Sequence, residues 1–129
     1  MRLLVDGMNV IGSRPDGWWR DRPGAMRRLT EQLGALSRTS GDQVTVVFDG
    51  RPPPERPTAP GVEVEFAPGG RNSADDRIAE IVAVDPDPAS LRVVTSDREL
   101  VARVSERGAE VMGAGALRTE LDRLARSSR

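Results

Sequence analysis

Five short apolar runs alternate along the chain with stretches of helical spacing, and this alternation limits the possible folds more than any other feature. The runs are rich in β-branched residues and cover residues 3–5, 44–48, 62–66, 91–94 and 110–112. Strands that alternate with helices are typical of a mainly parallel sheet with helices on both faces. The sequence therefore predicts an α/β fold with a mainly parallel sheet of about five strands.

Apolar residues between these runs recur at the spacing of amphipathic helices. Met26, Leu29, Leu33 and Leu36 follow this spacing behind Pro23, which suits the first turn of a helix. Three further helices are predicted around residues 78–82, 100–104 and 117–124. The continuous runs VTVVF (44–48) and LRVV (91–94) indicate strands covered on both faces, whereas the alternating VEVEF (62–66) indicates an edge strand.

The length of 129 residues suits one domain over residues 1–129, of which 126–129 are expected to form a polar, disordered tail. Residues 51–61 include five prolines and are expected to form a stiff, exposed loop. The chain has no apolar stretch of about 18 residues, and the apolar run after Arg2 is too short for a signal peptide. We therefore expect a cytoplasmic protein with no membrane partner.

The chain contains no histidine, cysteine, tyrosine or lysine, so all of its 19 basic side chains are arginines. This composition excludes an imidazole base, a thiol nucleophile, a Schiff-base amine and a tyrosine acid within the chain. It also excludes zinc sites built from cysteine or histidine. Any catalysis must use carboxylates, hydroxyls, amides and guanidinium groups, and a hard metal ion is the cofactor that suits this set.

Three of the predicted strands end in an acidic residue, namely Asp6, Asp49 and Asp97. Each of these alone is better explained as a turn residue or a helix cap. The carboxyl ends of parallel strands, however, meet at one edge of the sheet, where α/β proteins bind their ligands. We therefore expect the three side chains to lie close together.

A fourth acidic feature, Asn72-Ser73-Ala74-Asp75-Asp76, begins the second predicted helix. Ser73 and Asp76 have the spacing of a capping box, with Asp in place of Glu, which leaves Asp75 unexplained except by the favourable helix dipole in the first turn. Crowded carboxylates repel one another unless a cation lies among them. Mg²⁺ or Mn²⁺ accepts such oxygen ligands and supports hydrolysis without histidine or lysine.

The segments "VDGMNVIG", "VVFDG", "NSADDRIAEIV", "VVTSD" and "GAGALRTEL", in this order and spacing, resemble the YacP-like branch of the NYN domains in the PIN-like nuclease superfamily. The resemblance extends over nearly the whole chain. It implies a single-domain, Rossmann-like α/β/α sandwich and the activity of a metal-dependent endoribonuclease. The cofactor that it implies is Mg²⁺ or Mn²⁺.

The resemblance also assigns site residues by position. Asp6, Asp75 and Asp97 match the acids expected to bind the metal, directly or through water, and to carry catalysis. The supporting residues are expected to be Asn9, Asp49, Asp76 and Ser96. Asn9 and Ser96 serve equally well as turn-forming residues. Asn72-Ser73 stands where close relatives often have Glu-Thr, which leaves the number of metal ions open.

The expected partner is RNA, either single-stranded or presented by a ribosome, and arginines are the residues expected to contact its phosphates. Trp18 is the candidate for stacking on a base, although the packing of one or both of the adjacent tryptophans in the core is an alternative. The candidate arginines are Arg14, Arg20, Arg22, Arg27, Arg28 and Arg71. For each of them a solvated helix face is the simpler explanation. The alternative function is an RNA- or ribosome-binding module of the same fold, with the acids kept as caps.

Overall fold

The computed structural model describes residues 1–70 and 73–127, and a five-stranded sheet forms its centre. The strands are β1 (Arg2–Asp6), β2 (Gln43–Asp49), β3 (Val62–Ala67), β4 (Leu91–Val94) and β5 (Glu110–Met112). They lie in the order β3-β2-β1-β4-β5, and each is parallel to its neighbours. The α/β fold predicted from the sequence is confirmed, with β2 and β4 inside the sheet and β3 at its edge.

Five α-helices connect these strands in the described part of the chain. They are α1 (Gly7–Ile11), α2 (Arg22–Ser40), α3 (Ser73–Val84), α4 (Arg98–Ser105) and α5 (Ala114–Ser127). The sequence did not predict α1, because five residues carry too little periodicity. The predicted disorder of 126–129 is wrong at Arg126 and Ser127, which belong to α5, and positions 128 and 129 lie outside the described residues.

The sheet separates two apolar cores. Leu3, Val5 and Phe48 pack with α1, α2 and α5 on one face, whereas Leu4 and Val47 pack with α3 and α4 on the other. This division follows from the strand geometry, since successive side chains point to opposite faces. Among the residues described, no helix is both long and apolar enough to cross a membrane.

The strand order reverses beside β1, because β2 follows on one side of it and β4 lies on the other. Ligands of open α/β sheets bind outside the carboxyl ends of the strands at such a reversal. Asp6 is the last residue of β1, and residues 95–97 follow directly after β4. The topology thus places Asp6 and Asp97 at the two sides of this crevice.

Replacing Gly7 with alanine is expected to destabilise the fold. Gly7 begins α1 directly after Asp6, and a Cβ atom there would overlap the fully buried ring of Phe48. We expect a loss of about 2 kcal/mol, typical of overpacking in a core. Urea denaturation measures this loss as a lower midpoint at an unchanged slope.

The control for Gly7→Ala is Gly115→Ala in α5, where a Cβ atom meets no neighbour and stability should hold or rise. Equal stability of the wild type and Gly7→Ala would contradict the close contact.

Candidate active site

A buried hydrogen bond joins β1 to the segment after β4 at the crevice. The Thr95 hydroxyl donates to Oδ2 of Asp6 at 2.9 Å, and Thr95 Oγ1 accepts the backbone N–H of Asp97 at 3.1 Å. Asp6 is 3% exposed, which is unusual for a carboxylate. Thr95 therefore fixes the orientation of Asp6. Sequence analysis missed this role, because a threonine at a strand end is common for its β propensity alone.

Asp49 holds the beginning of α3 against the end of β2. Its Oδ1 accepts the N–H of Ala74 at 2.9 Å, which places Asp75 in the next position of the helix. The Ser73 hydroxyl donates to the carbonyl of Ala67. The Asp76 carboxylate accepts a hydrogen bond from Arg103 of α4 at 2.9 Å. Ser73 and Asp76 thus make these contacts in place of the capping box that the sequence predicts.

The residues between β4 and α4 form a braced turn. Asp97 is the N-cap of α4, since its Oδ1 accepts the N–H of Leu100 at 3.0 Å. Asn9 Oδ1 accepts the N–H of Ser96, and Ser96 Oγ accepts the N–H of Ala114, both at 2.9 Å. Both contacts join segments that are distant in the sequence, so Asn9 and Ser96 hold α1, this turn and the start of α5 together.

The acidic side chains act on one another electrostatically. The pKa of Asp6 is raised to about 7, mainly by burial; the Thr95 hydrogen bond lowers it, and the charges of Asp75, Asp49 and Asp97 contribute to the rise. Burial also raises the pKa of Asp75 to about 6, with contributions from Asp97 and Asp49. The structure therefore brings the four predicted acids into one negative field.

The donor set of this site fits a hard divalent cation. In residues 1–70 and 73–127, no three acidic side chains converge closely enough to hold an ion between them. Mg²⁺ commonly takes only one or two carboxylates and completes its coordination with water and phosphate. A cation would also favour the ionised form of carboxylates whose pKa values are raised. Asp6 and Asp75 are the residues that could hold it.

A cavity of about 430 Å³ opens beside Asp49. Met8, Trp18, Arg22, Asp49 and Arg51 contribute to its lining. One guanidinium nitrogen of Arg22 donates to the backbone carbonyl of Asp49 at 2.9 Å. Two of the predicted RNA-binding residues, Trp18 and Arg22, therefore lie near Asp49.

The two tryptophans have different environments. Trp18 is partly buried and packs against the core, whereas Trp19 is 56% exposed. Their rings meet edge to face, with centroids 5.9 Å apart. Trp18 thus presents part of its indole to the cavity while it is held in place by packing.

The other predicted RNA-binding arginines are dispersed over the surface. Arg14 pairs with Asp122 of α5, and Arg27 lines a separate groove with Glu31 and Glu55. Arg20 ends the 3₁₀ turn Trp18–Arg20. Arg28 lies in a pocket with Arg14, and the prediction for Arg71 falls outside the described residues.

Comparison with solved structures finds the same fold at nearly full length. The crystal structure of Rae1 (YacP) from Bacillus subtilis has a TM-score of 0.82 and 28% sequence identity, and the match covers 98% of this chain and 76% of that one. A tryptophan-to-leucine variant of Rae1 has a TM-score of 0.81 and 27% identity, with coverage of 98% and 77%. These matches show the PIN-like NYN fold.

Sequence comparison finds curated relatives and a matching family. UPF0178 proteins from strains of Xanthomonas oryzae pv. oryzae are 35% identical over 100 residues, which is 78% of this chain. The match spans 58% of the length of these relatives. The family described as "YacP-like NYN domain" matches residues 3–129. The chain therefore belongs to the YacP-like NYN domain family, and NYN domains are generally nucleases.

Proposed function

We propose that this protein is a metal-dependent endoribonuclease that hydrolyses RNA phosphodiester bonds at the site of Asp6, Asp75 and Asp97. The main support is the buried carboxyl of Asp6 at the strand reversal, whose pKa is raised chiefly by burial and also by three neighbouring carboxylates. Such an arrangement is costly in a purely structural site and useful in a catalytic one. The general nuclease activity of NYN domains agrees with it.

Asp6 and Asp75 would hold Mg²⁺ or Mn²⁺, and Asp97 would act through water because its Oδ1 caps α4. The bound ion would polarise the phosphate and promote ionisation of the attacking water. Asp49 supports this arrangement by fixing the start of α3. Asp76, paired with Arg103, contributes through its charge near Asp75.

The residues of the chain prepare the hydrolysis in two ways. Thr95 holds Asp6 in one orientation, so the site does not need to reorganise during the reaction. Asp97, which would act through water, would accept the proton that the attacking water loses. The water oxygen bonds to phosphorus as the bond from phosphorus to a ribose oxygen breaks.

The RNA would enter from the cavity of Trp18 and Arg22. Arg22 can contact a phosphate, and stacking of a base on an aromatic ring is worth about 1–3 kcal/mol. Both residues lie beside Asp49, so a strand bound there would run next to the acids. A free single strand, or RNA presented by a ribosome, provides the unpaired bases that this contact needs.

A second candidate function is an RNA-binding module without cleavage activity. The observation that favours it is that Asp49 and Asp97 each cap the beginning of a helix. Both acids would then have a structural reason to be present. The two candidate functions differ in whether bound RNA is cut.

The deciding experiment incubates the protein with a labelled single-stranded RNA in Mn²⁺, in Mg²⁺ or in chelator. We expect internal cuts only when a divalent metal is present. Asp97→Asn should reduce cleavage about 100-fold and leave stability nearly unchanged, because asparagine is an equally good N-cap.

Asp97→Ala separates the two roles of this residue. It should lose cleavage to the same extent and about 1 kcal/mol of stability, since alanine cannot cap α4. Urea denaturation measures the second effect. RNA binding by a folded wild type that never cuts would contradict the nuclease and favour the binding module.

A further inference from the structure

A second pocket, of about 180 Å³, shares Trp18 in its lining with the cavity beside Asp49. Its charged lining consists of Arg14, Arg28 and Arg118 together with Asp16 and Asp122. These residues come from the segment between α1 and α2, from α2 and from α5. We call it the arginine pocket. Sequence analysis did not single out Arg118, because one arginine in an arginine-rich helix forms no pattern.

The arginine pocket has more positive than negative groups. Three guanidinium groups face two carboxylates, and Arg14 is paired with Asp122. Burial lowers the pKa of Arg118, and repulsion from Arg14 and Arg28 contributes to the shift. Arg118 is nevertheless held in position, since its Nε donates to the carbonyl of Val10 at 3.3 Å. An anion would relieve this repulsion, just as a cation would relieve that among the acids.

The arginine pocket also has unused hydrogen-bonding capacity. Gln32 contributes to its lining, and Oε1 of Gln32 is a buried acceptor without a hydrogen-bond partner among the described residues. An unpaired buried acceptor is destabilising. The excess of guanidinium groups suits an anion, and the Gln32 acceptor suits a hydroxyl donor such as that of a ribose next to the anion.

Trp18 connects the arginine pocket to the acidic site. Trp18 contributes both to the lining of the arginine pocket and to the lining of the cavity of Met8, Arg22 and Asp49. Asp49 in turn acts electrostatically on Asp6. A strand that ran from the acids over the indole of Trp18 into the arginine pocket would meet three features in turn. These are a site for one phosphate, an aromatic surface and a site for a second phosphate. Single-stranded nucleic acids are bound by this combination of groups.

We infer that the arginine pocket binds a backbone phosphate of the RNA strand that crosses Trp18, at a distance from the bond that is cut. This inference rests on the proposed function, which identifies the bound strand as RNA. It adds a defined anchoring point to the site, with Arg28 and Arg118 as its phosphate-binding residues.

Equilibrium binding tests the inference with a labelled 12-nucleotide single-stranded RNA in chelator, so that no cleavage interferes. Arg28→Gln removes one exposed guanidinium group, and its matched control is Arg38→Gln, an exposed position on the same helix. We expect Arg28→Gln to raise the dissociation constant about 5- to 10-fold and to lower the salt dependence by about one phosphate contact. Arg38→Gln should change the constant less than about 2-fold.

A second measurement locates the contact along the RNA. Each RNA in a set carries one uncharged methylphosphonate linkage at a different position. We expect the linkage at one particular position to weaken binding to the wild type. The same linkage should cause no further weakening with Arg28→Gln. Equal weakening by Arg28→Gln and Arg38→Gln would overturn the inference, as would unchanged affinity in Arg28→Gln or no RNA binding by the wild type. If RNA binding behaves as expected for the arginine pocket but the protein never cuts RNA, only the nuclease proposal is overturned.

Discussion

Asp6→Asn is expected to abolish metal-dependent RNA cleavage and, at the same time, to stabilise the metal-free protein at pH 8. An amide cannot ionise, so the variant loses the carboxylate proposed to hold the cation, and we expect cleavage to fall on the order of 1,000-fold. The amide oxygen can still accept the Thr95 hydroxyl. The buried charge and its repulsion by Asp75 and Asp49 disappear, which should raise the free energy of unfolding by about 2 kcal/mol.

Opposite changes in activity and stability would distinguish a functional role from a structural one. Single-turnover cleavage in Mn²⁺ gives the first quantity, and urea denaturation in chelator gives the second. Asp87→Asn is the control, because Asp87 is exposed and lies before β4, at the opposite edge of the sheet. Loss of both stability and cleavage in Asp6→Asn would indicate that Asp6 mainly holds the fold together.

The stability of the metal-free protein is expected to fall as the pH rises from about 4 to 7. The pKa of Asp6 is raised from 3.8 to about 7 and that of Asp75 to about 6. The folded chain therefore binds these protons more tightly than the unfolded chain does. The stabilisation from this tighter proton binding is complete below about pH 4. It is lost as the pH rises through the folded-state pKa values of Asp75 and Asp6. We expect a total loss of about 3 kcal/mol for the buried Asp6.

The absence of histidine makes this dependence unusually easy to assign. The pKa of Asp85 is lowered to about 2 by its hydrogen bond with Arg2, so Asp85 changes the stability only at pH values below about 4. Urea denaturation in chelator between pH 5 and 7.5 should show the decrease in the wild type and a much smaller one in Asp6→Asn. Mn²⁺ should restore stability at pH 7.5 in the wild type only. A flat profile in the wild type would contradict the raised pKa values.

Much of the fold follows from the sequence, because strand-forming and helix-forming patterns alternate cleanly. The runs at 44–48 and 91–94 are continuous and lie inside the sheet, and the alternating run at 62–66 lies at its edge. Parallel strands bring Asp6, Asp49 and Asp97 to one edge, and this too follows from the pattern alone. The roles of these acids in metal binding and catalysis stay predictions.

The contacts that could not be predicted depend on the packing of distant segments. Asp75 and Asp76 are neighbours in sequence, but one helical step turns the side chain by about 100°, and the hydrogen bond from Arg103 of α4 goes to Asp76. Arg27 and Arg28 separate in the same way into two different pockets. A local pattern does not say which neighbouring helix each side chain will meet.

The contact between Trp18 and Trp19 gives the protein a built-in optical reporter. Because the chain has no tyrosine and only two tryptophans, its near-ultraviolet emission comes almost wholly from this pair. One ring lies partly buried between the acidic site and the arginine pocket, and the other is open to solvent. A ligand that enters either cavity therefore changes the surroundings of a natural chromophore, and occupancy can be followed by light without attaching a dye.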